Sequence, residues 1–426
     1  MTDIRAGSTY RTVLAMPGAL RFCLAGAVGR MPMAMFSLGS LLLVAALTGR
    51  YGLAGLVSAA SSVSYAVCAP QVARLADRYG QGRVLRPTAI VFTIATAIFV
   101  ACAELRAPAW AVLATGALAG SAMPSLGSMV RARWSALLGG APGLDTAYAL
   151  ESIVDELVFV VGPALVTLLA TEVQPAAGVV TAAAACALGT FALAGQVSTE
   201  PAVHPVPVTL RSGPRRAGRL PSPGLVTLVP TVVFLGAMFA TIDLSTVAFA
   251  QQHGHKPLAG LILGTYALGS AVGGIWYGSR SWRVPLERRF AVTLALTAAG
   301  VATFWVMPGL AALDAVVFVA GLTISPTLIA AFSLVERQAR PGRRTEGMAW
   351  VSSAASVGIA AGSAVAGQVV DAGGARWGYG LAACGGGLAV ACCLAGLSRL
   401  RSPAVPGRGE KIGVSDAINT EPAADS

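Results

Sequence analysis

Charged side chains are scarce in this chain. Of 426 residues only 12% are Asp, Glu, Lys or Arg, about half the share of an ordinary soluble protein. That excludes a water-soluble globule of this size, which needs polar residues to coat its surface. There are three histidines, and the seven cysteines form no Cys-x-x-Cys or Cys/His pairing, so neither a metal cluster nor a disulfide framework is expected. Cys23, Cys68, Cys102, Cys186, Cys384, Cys392 and Cys393 fall within or beside apolar runs and read as small buried residues. No nucleotide-binding Gly-x-x-x-x-Gly-Lys and no Ser/His/Asp set is found, so no catalytic residue, no metal and no cofactor is expected. A net charge of +11 could suggest nucleic acid, but the basic residues come as separated clusters between apolar runs rather than as one face, so no nucleic-acid partner is expected.

Apolar residues fill the space the charges leave. They make up 55% of the chain, and mean hydropathy is +0.70. The partner implied is the lipid bilayer, where a span takes roughly 20 mostly apolar residues. Twelve windows qualify, at residues 22–48, 52–72, 88–103, 108–130, 147–170, 175–196, 225–250, 258–278, 290–307, 310–335, 347–370 and 377–397. The first is too long for a signal-peptide core and reads as a retained span. Fifty glycines lie inside these runs without a Gly-X-Y period, as expected where membrane helices approach closely.

Arginine placement gives the threading. With the N-terminus inside, the inner turns hold 25 Lys and Arg residues and the outer ones 4, with Arg30 left within a window. A bias that alternates at every turn sets both termini on the cytoplasmic side. The organisation expected is a cytoplasmic segment at 1–21, six helices over 22–196, a Pro- and Arg-rich linker at 197–223, six more helices over 224–398, and a disordered cytoplasmic tail at 399–426. The halves echo each other at an offset near 200. GSAMPSLGSMVRARW from Gly120 is answered by GLTISPTLIAAFSLVER from Gly321, and Gly162 by Gly362.

Ionisable groups at membrane depth mark function or pairing. Arg30 lies nine residues past Arg21, about 14 Å along a helix. In the fifth window, ESIVDE carries Glu151 and Asp155 on one face, four residues apart, with Glu156 turned about 100° away. Arg30 is expected to pair with Asp155 or Glu151. The pair is either a substrate- or proton-coupling group or a structural ion pair fixing the first helix to the fifth. Asp243 in the seventh window is the next candidate, either lining a cavity or reaching water at the outer leaflet. Asp314 and Asp371 sit at window ends and read as interfacial. The Met-rich RMPMAMF from Arg30 to Phe36 reads either as a soft wall for varied apolar molecules or as packing. Pro32, Pro124 and Pro326, together with Gly162–Pro163, are the expected helix kinks.

The stretch ARLADRYGQGR, from Ala73 to Arg83, follows the second window. It resembles the loop of the major facilitator superfamily, which reads roughly G-x-x-x-D-[RK]-x-G-[RK]-[RK]. Asp77, Arg78 and Gly80 match, Ala73 replaces the first glycine, and Arg83 comes one place late. The equivalent turn in the second half, YGSRSWRVPLERR from Tyr277, keeps arginines but lacks the Asp-Arg-x-Gly core. The resemblance implies an all-α membrane protein of twelve helices in two pseudo-symmetric bundles. It implies a cavity between helices one, four, seven and ten, alternating access, and Asp77 facing the start of the eleventh helix near Thr345–Gly347. It further implies a small-molecule substrate and a monomer that needs no cofactor beyond the proton gradient. VVGPAL from Val160 resembles the Gly-Pro segment of the superfamily's drug/proton antiporters. Those proteins carry an arginine within the fourth helix, where this sequence places Arg131 only at the cytoplasmic end. An Arg-, Ala- and Gly-rich chain with few lysines suggests a bacterial cell membrane. The expected activity is proton-coupled efflux of a small, partly hydrophobic molecule. The alternatives are uptake of a small metabolite, or a non-transporting receptor or membrane enzyme.

Overall fold

The structure is a computed structural model that describes residues 10–139, 143–203, 222–255, 258–280, 282–339 and 342–401. The first nine residues, most of the expected linker and the tail beyond Arg401 lie outside the described residues.

Twelve helices are long and apolar enough to cross a membrane. They are α1 Ala19–Thr48, α2 Gly52–Tyr79, α3 Gln81–Glu104, α4 Ala109–Leu138, α5 Leu144–Glu172, α6 Ala177–Ala194, α7 Pro223–Gln252, α8 Leu258–Gly278, α9 Leu286–Val306, α10 Leu310–Gln338, α11 Arg344–Gly373 and α12 Ala375–Ala395. Among the described residues there are no strands. Each helix falls on its apolar window, and most run on into the charged turns, while α6 is two residues shorter than its window at each end. Backbone hydrogen bonding carries a helix past the point where its side chains stop being apolar.

Three of the spans are broken at depth. α1 stops at Gly29 and restarts with Pro32 in its first turn, where the missing N–H costs nothing. α4 is interrupted at Met123–Ser125, because Pro124 forces the residue before it into an extended conformation, with Met123 at φ −64°, ψ 122°. α10 breaks at Leu322–Thr323, three residues before Pro326, which then occupies the first turn of the new segment. The Thr323 hydroxyl donates to the Ala320 carbonyl at 2.9 Å and meets the Thr297 hydroxyl of α9 at 2.8 Å. Irregular backbone within a bilayer survives only where protein covers it, and these three breaks face neighbouring helices. At Gly162–Pro163, by contrast, α5 runs on unbroken. A Cβ on Gly162 would come within 2.8 Å of the Ala34 side chain, so this glycine serves close packing of α5 on α1.

Glycine also sets the seams inside each half. A Cβ on Gly358 or Gly362 of α11 would run into the Val233 or Ala237 carbonyl of α7. Gly189 of α6 lies directly against the backbone of Gly29 in α1. Without a hydrophobic force between helices in lipid, such contacts are the main source of cohesion.

The halves α1–α6 and α7–α12 meet through α2 on α11, α4 on α11, and α5 on α8 and α10. Their recorded hydrogen bonds lie toward the arginine-rich end. Tyr10, on a one-turn helix before α1, donates to the Gly274 and Ile275 carbonyls at 3.2 Å. Arg344 donates to the Ser135 hydroxyl at 2.8 Å, and Thr146 donates to the Gly278 carbonyl. Toward the other end, Gly52 and Gly55 in one half and Gly260, Gly264 and Gly367 in the other face open space.

Candidate functional site

The charged core of the first half is a ring of polar contacts in which three ion pairs link Glu151, Arg30, Asp155 and Arg131, and the Trp134 N–H of α4 closes it on Glu151. Arg30 caps the first segment of α1, so the helix break lets its guanidinium turn toward α5. It donates to Glu151 Oε2 at 2.5 Å, to Asp155 Oδ1 at 2.6 Å and to the Gly26 carbonyl at 3.1 Å. Arg131 in the second segment of α4 donates to the other Asp155 oxygen at 2.6 Å. Trp134 Nε1 donates to Glu151 Oε1 at 3.0 Å, and the Cys23 thiol donates to the same atom at 3.4 Å. Arg30 and Glu151 have essentially no exposure, while Asp155 keeps 22%. Two positive and two negative charges cancel. With both Asp155 oxygens held by guanidinium groups, the ring is a closed arrangement that fixes α1, α4 and α5 together.

Arg131 is a correction to the sequence reading, which set it at the cytoplasmic end of the fourth helix. α4 continues to Leu138, and Arg131 is 2% exposed, with its guanidinium 4.0 Å from the Phe332 ring of α10. The signal available was the phase: Arg131 and Trp134 sit three residues apart on one face of a helix that had only to be extended.

Glu156 leaves this ring. Turned away from Glu151 and Asp155, it reaches the second half, where Ser270 of α8 and Ser325 of α10 both donate to its Oε1, the latter at 2.9 Å. Its Oε2 is buried and finds no partner. Glu156 lies about 18 Å along α5 from the arginine-rich end, farther than the other recorded hydrogen bonds between the halves. Sequence reasoning placed it on the correct face but could not supply its partners, which come from the other half.

Asp243 of α7 is exposed. Ser245, about 200° further round the helix, packs on Gly378 of α12, so Asp243 faces away from α12. Of the Met cluster, Met35 is fully buried against Val166 and Ala182, so it packs the core rather than facing a cavity.

At the arginine-rich end, Asp77 accepts hydrogen bonds from the Thr345 and Glu346 backbone N–H groups at 3.3 and 3.0 Å. These are unsatisfied donors at the start of α11, where the helix dipole favours a carboxylate. Gly80 ends α2 at φ +96°, which is why a glycine stands there. Arg78 lies over the Tyr79 ring at 5.1 Å, and both Arg78 and Arg83 are exposed. The other half closes differently. Asp145, in the first turn of α5, accepts from Arg289 at 2.9 Å and from Ser333 at 2.8 Å. Sequence reading left this joint without a carboxylate because it looked for one after α8.

The Major Facilitator Superfamily model matches residues 226–420. The match covers the second half, and the solved structures extend the likeness to the whole chain. The human organic anion transporter MFSD10 aligns over 92% of this chain and 99% of its own, with TM-score 0.66 and 18% identity. A bacterial homologue of the iron transporter ferroportin, in an outward-facing state, aligns over 89% and 99% with TM-score 0.67 and 13% identity. The second half thus matches the superfamily model, and the whole chain shares the fold of these transporters. The Escherichia coli fucose:proton symporter FucP shares this superfamily fold over 90% of this chain and 99% of its own, with TM-score 0.63 and 12% identity. No curated protein sequence matches. These solved neighbours are transporters, and the likeness to them is one of fold, that of a multi-pass membrane protein.

Proposed function

We infer that this protein is a secondary active carrier that works by alternating access and exports a small, partly hydrophobic molecule in exchange for protons. The observation that carries this reading is where the halves are joined. Their recorded hydrogen bonds run from the arginine-rich end up to Glu156, and among the described residues none is recorded beyond it. Two bundles held this way can separate at one end and close at the other by rocking as rigid bodies around a site at their interface.

Arginine placement sets the joined end at the cytoplasm, so the arrangement corresponds to an outward-facing carrier in the bacterial cell membrane. Each joint at that end is a few hydrogen bonds or one half-buried ion pair, few enough contacts to exchange during turnover.

Glu156 is the proton-coupling group in this reading. Its Oε1 is tied to Ser270 and Ser325, and its Oε2 is the buried atom without a partner where a proton can sit. Because those serines belong to the other half, adding or removing the proton acts on the contact that must part. Asp155, enclosed by two arginines, is left a structural role. Drug sensitivity in a host stripped of its own pumps tests the scheme. Resistance that a protonophore abolishes, and that Glu156→Gln also abolishes at normal membrane levels, is the expected result. Accumulation of a nutrient in place of resistance would make it an uptake carrier, and a Glu156→Gln protein with full gradient-driven activity would remove the coupling role.

A further inference from the structure

The turn from α8 into α9 carries charge that the fold leaves unused. Arg280, Arg283 and Arg288 are exposed, and among the described residues none of them has a recorded ion pair. The next arginine, Arg289, is spent on Asp145, and the nearest carboxylate, Glu287, is taken by Arg337. The α2–α3 turn at the same end of the bundle differs. Asp77 precedes its Arg78, and Glu200 reaches back to accept from the Gly82 N–H at 3.0 Å, so acidic groups stand among its arginines.

Aromatic rings frame the unused charge. The Arg280 guanidinium lies over the Trp276 ring at 4.9 Å. Trp282 meets Trp276 edge-on at 5.5 Å and lies 4.8 Å from the Tyr277 ring, and its Nε1 donates to the Tyr277 carbonyl at 3.0 Å. Behind them Arg289 donates to the Tyr277 hydroxyl and to Asp145, both at 2.9 Å. This stack anchors the turn on α8, so the arginines on either side of Trp282 are presented from a fixed support. Indole rings favour the level where acyl chains give way to headgroups.

The surface below the arginines is apolar. Leu268, Val272 and Ile275 are exposed on the face of α8 opposite Ser270 and Gly273, which meet α10. That face looks into lipid. Trp276, one turn beyond Val272, continues it up to Arg280. An apolar strip that ends in unpaired guanidinium groups has the chemistry of an amphiphile reversed in charge: hydrocarbon lies along the strip, and a phosphodiester takes the arginines, whose planar forks suit phosphate oxygens. A free phosphate could use the arginines but would gain nothing from the strip.

We propose that the α8–α9 turn is a binding site for one anionic phospholipid of the arginine-rich leaflet, with its phosphate on Arg280 and Arg283 and an acyl chain along Val272 and Leu268. Basic clusters at the end of a membrane helix attract anionic headgroups, and here the aromatic stack adds a fixed seat to that attraction. The site lies on the lipid-facing side of the second half and does not depend on what the protein carries.

Native mass spectrometry of the purified full chain in detergent tests it, titrating dioleoylphosphatidylglycerol against dioleoylphosphatidylcholine, which has the same chains and no net charge. One saturable phosphatidylglycerol site, at least about tenfold tighter than any phosphatidylcholine binding, is expected. Arg280→Gln/Arg283→Gln should weaken it about 25-fold, about fivefold for each arginine near a headgroup. Arg11→Gln/Arg74→Gln removes two exposed arginines from the same end of the bundle and should leave that affinity unchanged. Soluble glycerol phosphate in excess should not displace the lipid. Equal affinity for the two lipids, equal weakening by the two double variants, or displacement by glycerol phosphate would overturn the assignment. The first would mean no headgroup recognition, the second general surface attraction, and the third an anion site indifferent to the chain. The comparison of the two lipids on the unmodified chain holds even if a variant fails to assemble.

Discussion

Asp155→Asn separates structure from coupling in the charged ring. The substitution keeps the shape of the side chain but removes a negative charge that both arginines share at 2.6 Å. Arg30 then retains Glu151, while Arg131 faces an amide and the ring carries a net positive charge. Breaking a buried pair by removing one partner costs about 3–5 kcal/mol, because the remaining charge stays desolvated. Asp155 is 22% exposed and so can draw in some water, which argues for the lower end, about 3 kcal/mol. For a bundle of this size that corresponds to a fall in melting temperature of about 10 °C, readable by thermal unfolding in detergent. Adding Arg131→Met should recover much of the loss. It removes the orphaned charge and keeps an apolar side chain on the Phe332 ring, which the guanidinium now covers at 4.0 Å. Proton dependence of transport in Asp155→Asn should match the wild type. A melting temperature within about 2 °C of wild type, or a double variant less stable than the single one, would show that the ring does not hold the first half together. Lost proton dependence in a well-folded Asp155→Asn protein would return the coupling role to this residue.

Two further changes probe the joints and the seams. Asp77→Asn keeps one acceptor oxygen, turns an NH2 toward the other backbone N–H and loses the charge at the start of α11, together costing about 1 kcal/mol or more. The population with the arginine-rich end open should rise about fivefold, as read from spin-label distances between Arg83→Cys and Arg399→Cys in a cysteine-free background; an unchanged distribution would deny Asp77 a gating role. Gly358→Val should destabilise the second half by about 3 kcal/mol, since the new side chain meets the Val233 carbonyl. Gly367→Val on the same helix, where nothing lies within 4 Å, should be neutral, and equal effects at the two positions would refute the close-packing account.

Much of the architecture could be read from the chain because a bilayer imposes it. Only helices about 20 apolar residues long can cross, so hydropathy alone marks where each of α1 to α12 lies. Helix ends were less legible, and that mattered at one place. The fourth window ends at Val130 because Arg131 and Arg133 are charged, yet α4 continues to Leu138 and carries Arg131 into the ring. A charged residue is expensive in a membrane only while unpaired, and its partner, Asp155, lies on a different helix. The pairing of Arg30 with the Glu151/Asp155 face could be anticipated from depth and helical phase. The choice between its two partners dissolves in the structure, where it takes both.

Residues that join the halves were the hardest to see, for a reason rooted in the pseudo-symmetry. A repeat invites the expectation that each half carries the same device at the same place. Asp77 sits at the end of α2 and meets the backbone of α11, so its counterpart was sought at the end of α8, where the turn holds arginines and its one carboxylate, Glu287, waits until α9 and pairs with Arg337 of the same half. The structure keeps the joint but exchanges its polarity. The carboxylate, Asp145, belongs to the helix start of α5, and the arginine, Arg289, comes from the start of α9, after the α8–α9 turn. The same exchange extends inward, where Glu156 of the first half is answered by hydroxyls of the second. Acidic groups of the interface thus lie mainly on the first bundle, and the second contributes donors. One consequence is mechanical. In the proposed carrier, parting of the bundles at the arginine-rich end takes donors from Asp145 and Glu156 together, whereas Arg30 and Asp155 lose nothing. On that reading, charge redistribution is concentrated at the contact between the bundles, where a proton on Glu156 would act on it.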